Sequence, residues 1–425
     1  DTTMITWFEN NSFPILFFLG ILFLIPLVLS QLSKRLGLPN IIAYMVAGIL
    51  LGPSVFNFLD EQILGDMQFI THMVLGFVAF KIGLEVNIKE IISKGKGIII
   101  TVLSESFLAV LMVALFLYLL TGNLALALVF GALAPASAPA GTIAVIDETR
   151  SKGSLTQTLY SIVGIDDGLA IIIFGLISPI ALFLISHSGG GAVIMDSSFW
   201  IAILEPFREI GLSIGLGGLA AALFVGLTRM KGFRDELMPL TFGMVILITG
   251  ISQLANLSEI LSGMVLGLVV GNYPKLGKIK DFEEKEVGFI IPLFYLLFFT
   301  IAGANLHIKS VPALGLIGLL YVAGRTVGLG GGAFVGASLG RLEPKVRNYL
   351  GFGILSQAGV AIGLALVVKN RFQGVGPELN EAGITMGDHI GNIVFTTITA
   401  TSVVFEILGP ILTKYALKKS GEAQE

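Results

Sequence analysis

Apolar windows of about twenty residues, the length a helix needs to cross the hydrocarbon core of a bilayer, recur along almost the whole chain. Thirteen can be marked, at 13–32, 38–58, 67–86, 97–121, 123–146, 154–186, 200–228, 236–254, 258–272, 286–304, 311–339, 346–368 and 384–417. Their density dictates the fold class. Only 13% of the 425 residues are charged and 54% are hydrophobic, whereas soluble domains carry about 25% charged residues. The expected fold is therefore an all-α polytopic membrane protein with about 13 transmembrane helices. The 53 glycines suit helices that pack closely in lipid. Cysteine is absent, which excludes disulfide and thiol chemistry. Asp1 to Asn11 is polar and lacks a small-residue cleavage site, so no cleavable leader is expected there.

Basic residues orient the spans, because cytoplasmic loops are enriched in lysine and arginine. Of the 26 lysines and arginines, twenty fall in one set of connections and three, Lys309, Lys369 and Arg371, in the opposite set. The remaining three, Lys81, Arg208 and Arg325, fall inside spans. This bias predicts an N-terminus outside and a C-terminus in the cytoplasm.

The chain also resembles itself at an offset near 219. "LPNIIAYMVAGILLG" (38–52) lies over "LSEILSGMVLGLVVG" (257–271), "FKIGLEVNIK" (80–89) over "FTIAGANLHIK" (299–309), and "GALAPASAPAG" (131–141) over "GILSQAGVAIG" (353–363). The first six spans thus repeat as the last six, with 200–228 as a linker helix. One odd span between two six-span halves forces them to run in opposite directions, the inverted-repeat plan of secondary transporters, whose sites lie near broken helices at the midplane. The fifth and twelfth spans are the expected broken, crossing pair. Pro135 and Pro139 each remove an amide donor, and the facing segment carries "SQAG" with Gln357.

Ionisable groups inside a membrane cost several kcal/mol unless they reach water or a partner. Asp166 and Asp167 lie about twelve residues into the sixth span, with Glu105 and Arg325 also deep in theirs. Neighbouring residues on a helix point about 100° apart, so the two aspartates are expected to have different tasks, one facing a cavity and the other a protein partner. A carboxylate withdrawn from water holds a proton more tightly, and its oxygens are also hard ligands for a small cation. Competition between the two for one carboxylate is the minimal device for antiport. A purely structural ion pair of one aspartate with Arg325 would leave the other uncompensated. Lys81 reads as a snorkelling residue, Glu205, Arg208 and Glu209 as a local ion-pair network or an interfacial face, and His72 as a packed or interfacial histidine. Asp388 and His389 fall near the repeat position of the aspartate pair, and Glu406 is deep and unassigned. No nucleotide-binding loop, metal-ligand cluster or hydrolase triad is present in the sequence. The chain is accordingly expected to be no enzyme, to use no cofactor, to bind no nucleic acid, and to draw on ion gradients.

"GLPNIIAYMVAGILLGPS" (37–54), "ALAPASAPAGTIAVIDE" (132–148), "GIDDGLAIIIFG" (164–175), "GRTVGLGGGAFVG" (324–336) and "GILSQAGVAIGLAL" (353–366) together resemble the cation:proton antiporter superfamily. The paired aspartates resemble its second branch, the bacterial sodium/proton antiporters. The resemblance implies a homodimer in a bacterial or archaeal inner membrane. It implies a dimerisation domain made of 13–86 and 236–304, a core ion-transport domain made of 97–186 and 311–417, and elevator-like alternating access. It further implies that Asp167 is the carboxylate that binds Na⁺ (or Li⁺) and H⁺, and that its neighbour Asp166, a second candidate ligand, pairs with Arg325; Glu105, equally deep, is a further candidate charge partner. Ser137, Thr142, Pro135, Pro139 and Gln357 would belong to the broken helices. Two departures stand out. Arg325 occupies a place usually held by lysine, and unlike lysine it does not surrender its proton, which bears on stoichiometry. Ala136-Ser137 replaces a common threonine–serine pair. Kef-type potassium relatives usually show glutamine–aspartate and carry a nucleotide-binding regulatory domain, which "KKSGEAQE" gives no sign of. The expected function is Na⁺(Li⁺)/H⁺ antiport serving pH homeostasis. A K⁺/H⁺ antiporter on the same scaffold, and a non-transporting ion sensor or a channel, are the alternatives.

Overall fold

The computed structural model describes residues 15–85, 88–187, 197–230, 236–272, 288–306, 315–379 and 383–424. These residues are helical apart from loops and one isolated bridge between Glu378 and Thr385. In chain order the helices are α1 (Ile15–Arg35), α2 (Asn40–Leu51), α3 (Glu61–Asp66), α4 (Gln68–Glu85), α5 (Ile88–Thr121), α6 (Leu124–Leu133), α7 (Pro139–Glu148) and α8 (Ser154–His187). Then follow α9 (Ser197–Thr228), α10 (Leu237–Leu254), α11 (Glu259–Gly271), α12 (Gly288–Ala304), α13 (Gly315–Leu339), α14 (Pro344–Gly353), α15 (Gly359–Arg371) and α16 (Met386–Ser420). Seven of them contain stretches long and apolar enough to cross a membrane by length and composition, in α1, α5, α8, α9, α10, α13 and α16.

The apolar windows and the helices differ where local chemistry interrupts the chain. The window 38–58 is helical only to Leu51, because Gly52 is extended ahead of Pro53, and a residue before proline is steered out of the helical region. Short α3 is then capped by Asp60, whose carboxylate accepts from the Ile63 amide at 2.8 Å. The windows 123–146 and 346–368 each split into two helices, α6/α7 and α14/α15. His307–Lys309, Val86 and Asn87 of the repeated motif, and the starts of the windows at 286 and 311, lie outside the described residues.

Glycine governs how closely these helices approach. Along α13, Gly324, Gly328, Gly332 and Gly336 face Val113, Ala109, Glu105 and Thr101 of α5, an antiparallel contact of backbone on backbone. A Cβ at Gly328 would sit 2.5 Å from the Ala109 Cα, and one at Gly336 would sit 2.6 Å from the Thr101 Cα. Since the opposing atoms are main chain, nothing can swing aside. Gly328→Val is therefore expected to destabilise the protein by about 1–3 kcal/mol or more through overpacking, read as a lowered melting temperature in detergent. A second pair of contacts is reciprocal. Gly48 of α2 lies on Thr300 of α12 while Gly303 of α12 lies on Met45. Likewise Gly267 of α11 lies on Phe80 of α4, while Gly83 of α4 lies on Met264.

Candidate functional site

The two interruptions meet. Between α6 and α7 the chain leaves the helix at Ala134–Ala138, and Pro139 restarts it from the first position, where its missing amide costs nothing. Between α14 and α15 the chain leaves the helix at Ile354–Ala358. The Ala138 amide donates to the Ser356 carbonyl at 2.9 Å, and Thr142 Oγ1 donates to the Gly353 carbonyl at 2.7 Å. Each break leaves carbonyls without helical donors, and a buried unpaired carbonyl is costly.

Arg325 supplies the donors. Fully buried on α13, its guanidinium donates to the carbonyls of Ala134 (2.9 Å), Ala136 (3.0 Å), Leu355 (2.6 Å) and Ser356 (3.3 Å). Its plane also lies 4.4 Å from the centre of the Phe405 ring, a cation–π contact. One planar side chain thus fastens both breaks at the carbonyl ends of α6 and α14, where the helix dipoles are negative. Gln357 adds a bond from Nε2 to the Tyr321 hydroxyl at 2.8 Å.

Asp166 and Glu105 are buried beside this clamp. Asp166 accepts from Ser137 Oγ at 3.3 Å, and its carboxyl also meets that of Glu105. Glu105 meets Asp166 carboxyl to carboxyl, a contact that becomes a hydrogen bond when one of the two holds a proton, and it feels the Arg325 charge; its oxygens meet no other donor among the described residues. The expected direct ion pair between Asp166 and Arg325 is not formed: the guanidinium is spent on main-chain carbonyls, so the two interact at longer range. Two acids against one guanidinium leave the cluster one proton or one cation short of neutrality. Asp167 is helical in α8, and its side chain lies outside the described residues.

A cavity of about 580 Å³ reaches this region. Its wall includes Ser137, Pro139 and Gly141 at one break and Ser356 and Gly359 at the other, together with Glu406 of α16. At the starts of α4 and α11 it is lined by His72 and Glu259, whose side chains pair at 2.8 Å. The His72 ring is thus partly exposed and hydrogen-bonded to an acid, which sets aside the packed reading and agrees with an interfacial one.

At the other end of α4 a polar cluster appears that the sequence did not single out. Lys81, read as snorkelling, is instead buried and donates to Asp147 at 2.7 Å. The Tyr295 hydroxyl reaches Asp147 at 3.0 Å and the Tyr160 hydroxyl at 3.4 Å. Next door, Glu148 accepts from the Asn40 amide at 2.7 Å and from Lys414 at 3.3 Å. The one available signal was "AFKIG" (79–83), a lysine set in an apolar run. Asp388 serves the fold: it forms a capping box with Thr385 at the start of α16, and His389 is exposed. Arg208 is exposed, and the Glu205 side chain lies outside the described residues.

Comparison with known proteins is consistent across sequence and structure. The family described as "Sodium/hydrogen exchanger, transmembrane" matches residues 19–419. The chain is 22% identical to the probable Na⁺/H⁺ antiporter 3 of Methanocaldococcus jannaschii, over 96% of this chain and 97% of that one. It is 20% identical to the ammonium/H⁺ antiporter subunit AmhT of Alkalihalophilus pseudofirmus, over 83% and 86% of the two chains. Among solved structures, the sodium proton antiporter MjNhaP1 of Methanocaldococcus jannaschii superposes with a TM-score of 0.71 at 19% identity, covering 96% of this chain and 98% of that one.

Proposed function

The chain belongs to the sodium/hydrogen exchanger family of transmembrane proteins, within the cation:proton antiporter superfamily, and from that premise we propose that it exchanges Na⁺ or Li⁺ for H⁺. The observation that carries this reading is the buried cluster at the meeting of the two breaks. Glu105 and Asp166 face a single guanidinium, four of whose five N–H donors go to main-chain carbonyls, so with both acids ionised the cluster is one positive charge short. Asp167 is the carboxylate at which cation and proton compete, and Asp166 is its neighbour toward the protein interior. Relatives whose names state Na⁺/H⁺ antiport support the choice of ion.

The same reading assigns 13–86 and 236–304 to a dimerisation domain, 97–186 and 311–417 to a core domain, and 200–228 to a linker helix. The inverted repeat is supported by the reciprocal glycine contacts: α2 on α12 and α11 on α4 exchange under the offset that relates the two halves. An elevator movement of the core is supported by what joins the two helix groups. The cavity separates them near His72 and Glu259, while Lys81, Tyr295 and Asn40 hold Asp147 and Glu148 at the opposite ends of their helices. With the N-terminus outside, the cavity opens outward and the polar cluster closes the cytoplasmic side. Lys81→Met is then expected to favour the inward-open form by about tenfold, the factor that 1.4 kcal/mol gives. The measurement is faster maleimide labelling of a cysteine placed at Tyr160 in this cysteine-free chain.

The function itself is tested by cation-dependent proton release from proteoliposomes across a pH series. Na⁺ and Li⁺ are expected to collapse the gradient. Release by K⁺ or ammonium alone would reassign the cargo, and conduction without proton exchange would make the protein a channel or sensor.

A further inference from the structure

The cavity holds a carboxylate for which neither the fold nor the aspartate pair provides a task. Glu406 lines it from α16. Its Oε2 is sealed from solvent without a hydrogen-bond partner, while the residue as a whole is partly exposed to the cavity. Pro410, four residues on and also lining the cavity, has no N–H, so the Glu406 carbonyl loses its intrahelical donor. The hydroxyl of Ser356 is almost fully buried, lines the same cavity and has no partner. It lies against Gly409, where any side chain would collide with it. Two turns back along the same face of α16, the Thr399 hydroxyl is likewise buried, unpartnered and part of the wall. Every group in this set offers oxygen, the ligand type that hard cations take.

We propose that Glu406 is a second cation station in the cavity, holding a monovalent cation with Ser356 and its own freed carbonyl, on the way from the outer opening to the aspartate pair. Thr399 lies on the approach. Ser137 marks the inner end, since it lines the cavity and donates to Asp166. Geometry isolates the site electrostatically. The charged groups on the cavity wall other than Glu406 are His72 and Glu259, paired with each other on α4 and α11. Arg325 lies on the ring of neighbouring Phe405 but is bound to carbonyls, and Asp166 sits behind Ser137. With no fixed cation beside it among the described residues, Glu406 must be neutralised by the ion it binds or by a proton, and the two compete.

The inference rests on the antiport reading, and the test separates their failures. Binding of radioactive sodium to purified protein in detergent is measured for wild type, Asp167→Asn, Glu406→Gln and the double variant, against choline chloride. Asp167→Asn is expected to retain one sodium site, which disappears in the double variant. Glu406→Gln alone is expected to raise KM for Na⁺ about tenfold, as for loss of one charged ligand, with little change in kcat. The rise of KM toward low pH should also flatten. Glu406→Asp should restore part of the affinity, and Ser356→Ala should weaken it without touching a charge, which keeps the test open if the glutamine variant does not fold. Equal sodium binding in Asp167→Asn with and without Glu406, or an unchanged KM and pH profile in Glu406→Gln, overturns the second station. Full transport by Asp167→Asn overturns the assignment of Asp167 instead, and wild-type protein that releases no protons on addition of a cation overturns the antiport reading.

Discussion

Replacing Asp167 by asparagine is expected to reduce cation-driven proton release by about a hundredfold or more, the equivalent of about 2.8 kcal/mol, with normal yield and melting temperature. Asparagine keeps the size and one carbonyl oxygen of the aspartate but can neither exchange a proton near neutral pH nor present a negative charge to a cation. Asp166→Asn should behave differently. Asp166 is almost fully buried against Ser137 and the Arg325 charge, so its loss unbalances an interior cluster and should lower stability as well as turnover. The pair of variants therefore distinguishes the two carboxylates by readout as well as by size of effect. Full exchange by Asp167→Asn in proteoliposomes would sink the assignment.

The second large effect belongs to Arg325. Three guanidinium nitrogens reach four carbonyls on two separate breaks, a span that the single nitrogen of lysine cannot reproduce. Each orphaned buried carbonyl costs about 1–3 kcal/mol. Arg325→Lys is expected to lose roughly 2–4 kcal/mol on that basis, seen as a marked fall in melting temperature. Arg325→Ala is expected not to accumulate as folded protein, since Glu105 and Asp166 would also lose their counter-charge. If the lysine variant melts like the wild type, the clamp is not what holds the breaks together. Where the lysine variant is recovered, its transport under an imposed voltage tests stoichiometry independently. Unchanged voltage dependence would show that the arginine does not set the proton count.

The parts of the molecule that follow from residue type were legible in advance. Pro135 and Pro139 announced a break in one helix, and "SQAG" one in another, because proline and small polar residues act locally. Depth along a span was enough to bring Glu105, Asp166 and Arg325 into one neighbourhood. What was not legible is which atoms they meet. The partners of Arg325 are main-chain oxygens, and a sequence names side chains only. Lys81 was misread because its acid, Asp147, is 66 residues away, and only the fold brings them together. The window 38–58 overran its helix because an average over twenty residues does not register a local stop such as Gly52-Pro53. The glycines of "GRTVGLGGGAFVG" marked a resemblance, but their use as a seam against α5 needed coordinates.

The clamp also has an electrical meaning. A guanidinium tied to carbonyls in both breaks, after α6 and after α14, cannot shift relative to either, so its charge is a fixed part of whatever unit moves. Carrying one full elementary charge across 100 mV is worth about 2.3 kcal/mol. If the core travels with Arg325 compensated by two acids, the empty carrier and the loaded carrier differ by one unit of travelling charge. Membrane potential would then favour the return of one form over the other, and brief displacement currents should flow on a voltage step even when no cation is available to exchange.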